Sequence, residues 1–196
     1  MEQPALNFTI GLARSGKSTI CQQWLHGKIA IVNGIPCETP YSITQSHPRI
    51  VICDDAIRRA ITGDRFNLAA ESQVYALKYG MIRTMLKQGY EVMVDDTHTT
   101  DVSVQRLLEI NHKANFMLVD TDVDECIQRA IKTKQEDLVE VIKRHHANMK
   151  QFIGVDQYDG DLPTDIQLSM AIGYRIAGLR DDVISQMDYT DYTKRV

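Results

Sequence analysis

The chain has 196 residues, 43% of them hydrophobic and 24% charged, with a formal net charge of −4 and a pI near 5.8. That length suits one domain, or one domain with an appendage, and buries roughly 70% of the unfolded surface without needing disulfides or metals. The acidic balance argues against a sequence-independent nucleic-acid coat, which neutralises many phosphates with Lys and Arg, but leaves room for a small local phosphate site.

Along the chain, short apolar runs alternate with helical patterns, as in a parallel sheet built from βα units. Residues 6–11 read as the first strand and 17–25 as the first helix. Residues 28–39 carry Asn33-Gly34 between apolar residues, a two-residue hairpin signal inside an insertion that spans 28–46. Pro36 and Pro40 confine its return strand to an edge. Residues 50–53, 91–94 and 115–119 read as three further strands. A long helix is expected over 66–88, with Val74, Leu77, Met81, Met85 and Ile82 on its buried side, and Gly89 as its stop. Residues 124–132 and 136–152 read as two more helices. A Gly/Asp/Pro-rich connector over 154–163 leads to a terminal helix over 164–187. There Ile166, Met170, Ile172, Ile176, Leu179, Val183 and Met187 form an apolar stripe suited to packing on the same domain or to homo-oligomerisation. Two units follow: residues 1–153 as the main domain and 154–196 as connector and helical extension.

The four cysteines, Cys21, Cys37, Cys53 and Cys126, show no CxxC or Cys/His ligand spacing and read as buried free thiols of a reducing compartment. No segment resembles a secretory signal or is apolar enough to cross a bilayer, so a cytoplasmic protein with no membrane role is expected.

The segment Gly11-Leu12-Ala13-Arg14-Ser15-Gly16-Lys17-Ser18 satisfies G-x-x-x-x-G-K-[ST] at every fixed position, directly after a strand and before a helix. Glycines let the backbone wrap an anion and turn several N–H groups inward. The helix behind adds unpaired donors and the positive end of its dipole. Lys17 is expected on the β- and γ-phosphates of ATP, and Ser18 on Mg²⁺. The nucleotide-binding set is therefore Gly11, Ala13, Arg14, Ser15, Gly16, Lys17, Ser18 and Thr19. Carboxylates follow two strands, Asp54-Asp55 after residues 50–53 and Asp95-Asp96 after 91–94. At strand ends beside such a loop, carboxylates hold Mg²⁺ or accept a proton from an attacking hydroxyl; they also serve as helix caps.

The order of this loop, then Ile52-Cys53-Asp54-Asp55-Ala56-Ile57-Arg58, then Val94-Asp95-Asp96-Thr97-His98, resembles the bacteriophage polynucleotide 5′-kinase group of P-loop kinases over about residues 6–152. That family carries I-N-x-D-x-x-R after its second strand and S-D-T-N after its third. The resemblance implies an α/β three-layer P-loop fold with a mainly parallel sheet, here with an edge hairpin and a C-terminal helical extension. It implies Asp55 as general base, Arg58 as clamp on an acceptor phosphate, and Asp96 as support around base, metal or clamp. A lid with arginines is implied after the fourth strand, where Arg129 and Lys132 stand; Thr133 occupies the place of a second lid arginine. His98 replaces the family's asparagine.

The implied reaction is transfer of the γ-phosphoryl group of ATP, with Mg²⁺, to a hydroxyl on nucleic acid, DNA before RNA. The acceptor is a 5′-hydroxyl end or the hydroxymethyl group of 5-hydroxymethyluracil in DNA. For the latter, the hairpin and the aromatics Tyr41, Phe66, Tyr75 and Tyr79 are candidate base contacts, and Arg59 and Arg65 are further candidate clamps. A small-molecule kinase and an ATPase module acting through a partner are the alternatives. His145-His146 lack partner ligands for a metal and read as a solvated face.

Overall fold

The computed structural model describes residues 4–39, 47–63, 66–154 and 165–193. Pro40, Tyr41, Arg65, most of the connector and the last three residues lie outside the described residues. Four parallel strands form the sheet: β1 (Leu6–Ile10), β4 (Arg49–Cys53), β5 (Glu91–Asp95) and β6 (Asn115–Leu118), in the order β4-β5-β1-β6. All four carboxyl ends therefore lie along one rim, where ligands gather in open α/β sheets. The expected α/β three-layer architecture is the one observed.

Strand alternation assigns the two faces. Leu6, Phe8, Ile10, Ile52, Val92 and Val94 point into the larger core, which is covered by helices α3 (Glu71–Lys87), α4 (Asp101–Leu108), α5 (Val123–Lys132), α6 (Val139–Ile153) and α7 (Asp165–Thr193). The intervening Met93 and Met117 point the other way, against Cys21 and Trp24 of α1 (Lys17–Leu25) and Ile29 of the hairpin.

The hairpin forms as predicted, from β2 (Ile29–Val32) and β3 (Ile35–Glu38). Asn33 and Gly34 take φ of 51° and 81°, the positive pair that a tight two-residue turn demands. Pro36 stands opposite Ile31, next to the turn-closing pair, where ladder alternation leaves no N–H to donate. Its turn meets β6, the Leu118 N–H donating to Gly34 O at 2.7 Å. A side chain at Gly34 would strike the Phe116 ring.

Two helices go beyond the elements predicted from sequence: α2 (Asp54–Thr62), which begins directly at the end of β4, and α4. The long helix is also corrected. Residues Leu68–Ala70 form a 3₁₀ turn capped by Asn67, and α3 starts only at Glu71. Its buried side runs through Glu71, Val74, Lys78 and Ile82, while Leu77 and Met81 are exposed, 48% and 39%. Two charged side chains turn this face inward because each finds a partner there. In α7, Leu168, Ile172, Ile176, Leu179 and Val183 are buried in the main core, so most of the expected stripe packs on its own domain. Met170 and Met187 stay exposed. Arg175 pairs with Asp101, and the Ser169 hydroxyl donates to Asn33 O, tying α7 to α4 and the hairpin.

Candidate active site

The loop after β1 is shaped by close approaches. A Cβ at Gly11 would stand 2.5 Å from Val119 O, so only glycine fits. Gly16, with φ of 99°, and Arg14, with φ of 67°, are in the left-handed region. The Gly11 N–H donates to Thr97 O, tying the loop to the end of β5, and the Ser15 N–H donates to Leu12 O, both at 3.2 Å. From the β6 side, the Thr121 hydroxyl donates to Ser15 O at 2.8 Å. No side chain caps the first turn of α1, so its leading N–H groups remain available to an anion.

Lys17 is buried and folds back to donate to Leu12 O. Burial pulls its pKa down, with Asp95 and Asp96 acting in the opposite direction. The Ser15 hydroxyl is buried without a partner among the described residues, and a phosphate oxygen would supply one. The cradle thus fits the phosphates of a nucleotide. Ala13 is half-buried within the loop, and Ser18 and Thr19 are exposed at the helix start.

Cys53 lies in register with Asp95, which brings Asp54, Asp55, Asp95 and Asp96 to one rim beside the loop. Alternation then separates them. Asp95 shares the face of Met93 and lies close to Ser18; burial raises its pKa, opposed by Ser18 and Lys17. Asp96, one residue on, turns to α3. The sequence reading paired Ser18 with Asp96 at the metal; the structure sets Ser18 against Asp95. Among the described residues, no three His, Cys, Asp or Glu side chains are arranged to hold a metal. A Mg²⁺ at Ser18 and Asp95 would take its other ligands from phosphate and water, as this ion commonly does.

Asp96 accepts from Lys78 Nζ at 3.0 Å and from the Thr97 N–H at 3.0 Å. Lys78 Nζ also donates to Asp54 at 2.8 Å, which sets the two carboxyl groups side by side. Burial, then Asp96, pushes the Asp54 pKa up. Burial acts on Asp96 too, but the adjacent Asp54 carboxyl and the charge of Lys78 outweigh it and hold Asp96 below the usual carboxylate range. Lys78 thus stands between a buried and a half-buried carboxyl group.

Asp55 is more than half exposed, at 57% of its side chain, and takes the Arg58 Nη1 donor at 2.6 Å. It also lies near enough to Asp95 to raise that group's pKa. Arg58 grips Glu71 with both remaining nitrogens, at 2.7 and 2.9 Å, and the Phe66 ring lies 6.0 Å away. The expected clamp is therefore already held by two carboxylates, because α2 and α3 pack side by side. Arg59 bonds back to Asp55 O within its own helix.

On α5, Arg129 reaches the loop, donating to Arg14 O at 3.2 Å and to Glu125 at 2.5 Å. Lys132 is exposed at the end of that helix. The Thr133 hydroxyl bonds back to Arg129 O and Ala130 O, an ordinary helix-end contact.

Sequence reasoning missed Glu71 and Lys78. Their spacing in phase with Val74 and Ile82 was the available signal, since charged residues on an apolar stripe need partners. Tyr75 and Tyr79 lie 5.1 and 5.3 Å from Lys78 Nζ and flank it, whereas Phe66 is 63% exposed beside Arg58. His98 is buried at φ 42°, its Nδ1 bonded to Thr9 O at 2.9 Å; burial lowers its pKa to about 4. Of the histidine pair on α6, burial likewise lowers His145 to about 4, against the expected solvated face. His146 borders a groove with Gly11, Leu12, Val119 and Met149.

Residues 6–154 match the family model described as AAA domain. A chain in the "Structure of the Pnkp1/Rnl/Hen1 RNA repair complex" is similar with a TM-score of 0.60 at 17% identity, over 81% of this chain and 47% of that one. A chain in the "Structure of Pnkp1/Rnl/Hen1 complex" gives 0.51 at 20% identity, over 66% and 40%. The present chain thus spans less than half the length of either, and the likeness is one of fold. No curated protein matches the chain.

Proposed function

The chain belongs to the AAA domain family, and on that premise we propose that it is an ATP-dependent kinase acting on a hydroxyl group of nucleic acid. One observation carries the reading: the phosphate loop after β1 and the Asp55–Arg58 wall after β4 stand at the carboxyl ends of parallel strands on one rim, with the end of β5 between them. That is the juxtaposition an in-line phosphoryl transfer needs, where catalysis rests on positioning and charge neutralisation.

When bound, Mg·ATP supplies the γ-phosphoryl group and its electrophilic phosphorus. The loop amides and Lys17, released from Leu12 O, hold the triphosphate, while Ser18 and Asp95 hold the ion. Arg129 lies over the loop and offsets charge on the transferring oxygens, with Lys132 next to it on α5. Asp55 accepts the proton of the acceptor hydroxyl as its oxygen bonds to phosphorus and the β–γ bridging bond breaks. Arg58 orients Asp55, and its unused N–H groups face a phosphate flanking that hydroxyl.

The nucleic-acid acceptor is favoured by the exposed Phe66 beside Arg58, a base-stacking surface next to a guanidinium. The RNA repair complex named for the similar structure points the same way. Within that class the acceptors are a 5′-hydroxyl end and a hydroxymethylated base in DNA. The described part of the hairpin meets β6, at the opposite edge of the sheet from β4 and α2, so it does not line the acceptor wall.

The test is transfer of radiolabelled γ-phosphate to 5′-hydroxyl oligonucleotides of DNA and RNA, hydroxymethyluracil DNA, nucleosides and sugars. Label on an oligonucleotide, lost in Asp55→Asn, is expected. Label on nucleosides or sugars alone would move the acceptor to small molecules. Phosphate release indifferent to every acceptor would make the chain an ATPase module.

A further inference from the structure

Lys78 has no part in the transfer just described, yet its side chain is only 3% exposed. It sits where three elements meet: the first turn of α2 through Asp54, the end of β5 through Asp96, and α3, which carries it. Two carboxyl groups pressed together in a desolvated site need a cation between them to stay close, and the rings of Tyr75 and Tyr79 hold that cation in place. Asp54 and Asp55 are consecutive in the first turn of α2, and Arg58 follows one turn later. Whatever fixes Asp54 therefore fixes both. The Arg58–Glu71 bridge joins α2 to α3 only, whereas Lys78 joins it to the sheet as well.

We propose that Lys78 is a positioning residue for phosphoryl transfer: by pinning Asp54 to Asp96 it sets where the Asp55 carboxylate stands relative to the phosphate loop. This rests on the kinase reading above. It predicts a particular pattern of loss, in which turnover falls while the nucleotide site, built on the loop between β1 and α1, is untouched.

The experiment compares Lys78→Met and Lys78→Arg with the wild-type chain by hydrogen–deuterium exchange, by titration with a fluorescent ATP analogue and by the transfer assay. In Lys78→Met, amides of α2 should exchange about tenfold faster while those of β1 and α1 keep their protection. Transfer kcat should fall about 30-fold, the cost of misplacing a reacting group, with nucleotide Kd unchanged within about threefold. Lys78→Arg, which keeps the cation, should restore most of kcat. If Lys78→Met does not fold, the Lys78→Met/Asp54→Asn pair, which also removes one of the two carboxyl groups the lysine holds together, replaces it. That pair should fold with kcat still low and α2 still fast; recovery of both would mean a structural role only and overturn the proposal. Unchanged α2 exchange in Lys78→Met, or equal losses of kcat and nucleotide binding, would overturn it too. If the wild-type chain labels no acceptor, the kinase reading fails, and the α2 exchange decides the positioning role independently.

Discussion

Around residues 11–18 the groups available to an anion are mostly main-chain amides, held by glycines at 11 and 16 and by bonds from Thr121 and Arg129. Across the rim, on the wall formed by α2, α3 and the end of β5, the functional groups are side chains: Asp55, Arg58, Glu71, Asp54, Lys78 and Asp96. A backbone cradle depends on φ and ψ and tolerates loss of one side chain without unfolding. A wall of desolvated charges does not, because each group removed leaves another unpaired. Variants on the two sides should therefore fail in different ways.

The largest effect is expected on the loop side. Lys17→Ala should lower transfer about 10³-fold by removing charge stabilisation at the transferring group, while urea denaturation shows stability within about 1 kcal/mol of wild type. A large loss of stability would break the comparison. Asp55→Asn comes next, with an expected loss of about 10²-fold or more in kcat and retained ATP-analogue affinity. Asp55 is the wall's exposed member, so its stability cost should be small, and full activity would remove it as the base.

Arg58→Ala sharpens the contrast from the other side. It strands Glu71, which is nearly buried, and should cost about 4 kcal/mol in urea denaturation. Arg58→Ala/Glu71→Ala should recover much of that, a coupling that a double-mutant cycle measures.

A slightly smaller effect is expected from pH. His98 stays neutral in the fold down to about pH 4, whereas the unfolded chain takes up that proton below about 6.5. Between those values the unfolded state binds more protons, so stability falls as pH drops, by at most about 3 kcal/mol. His145, depressed to about 4 as well, adds a second window of the same sign, so His98→Asn should remove about half of the slope in acid denaturation and not all of it. The smallest effect is that of Arg129→Ala, about tenfold in kcat, because this guanidinium is exposed and part of its charge is spent on Glu125.

Local elements were readable from the residues alone. The loop, the bounds of α1 at Lys17–Leu25, the Asn33-Gly34 turn and the four parallel strands all follow from contiguous residues whose backbone conformations or alternation leave few choices. The family motif also singled out Asp55 and Arg58, which the fold brings to one point. Only the tertiary structure decided which face of α3 is buried, that Asp95 and not Asp96 meets Ser18, and that Arg58 is already bound by Glu71. Lys78 lies 24 residues from Asp54 and 18 from Asp96. No local rule joins residues that far apart. Their meeting, and the charge state each takes, depends on how three elements exclude water from one place.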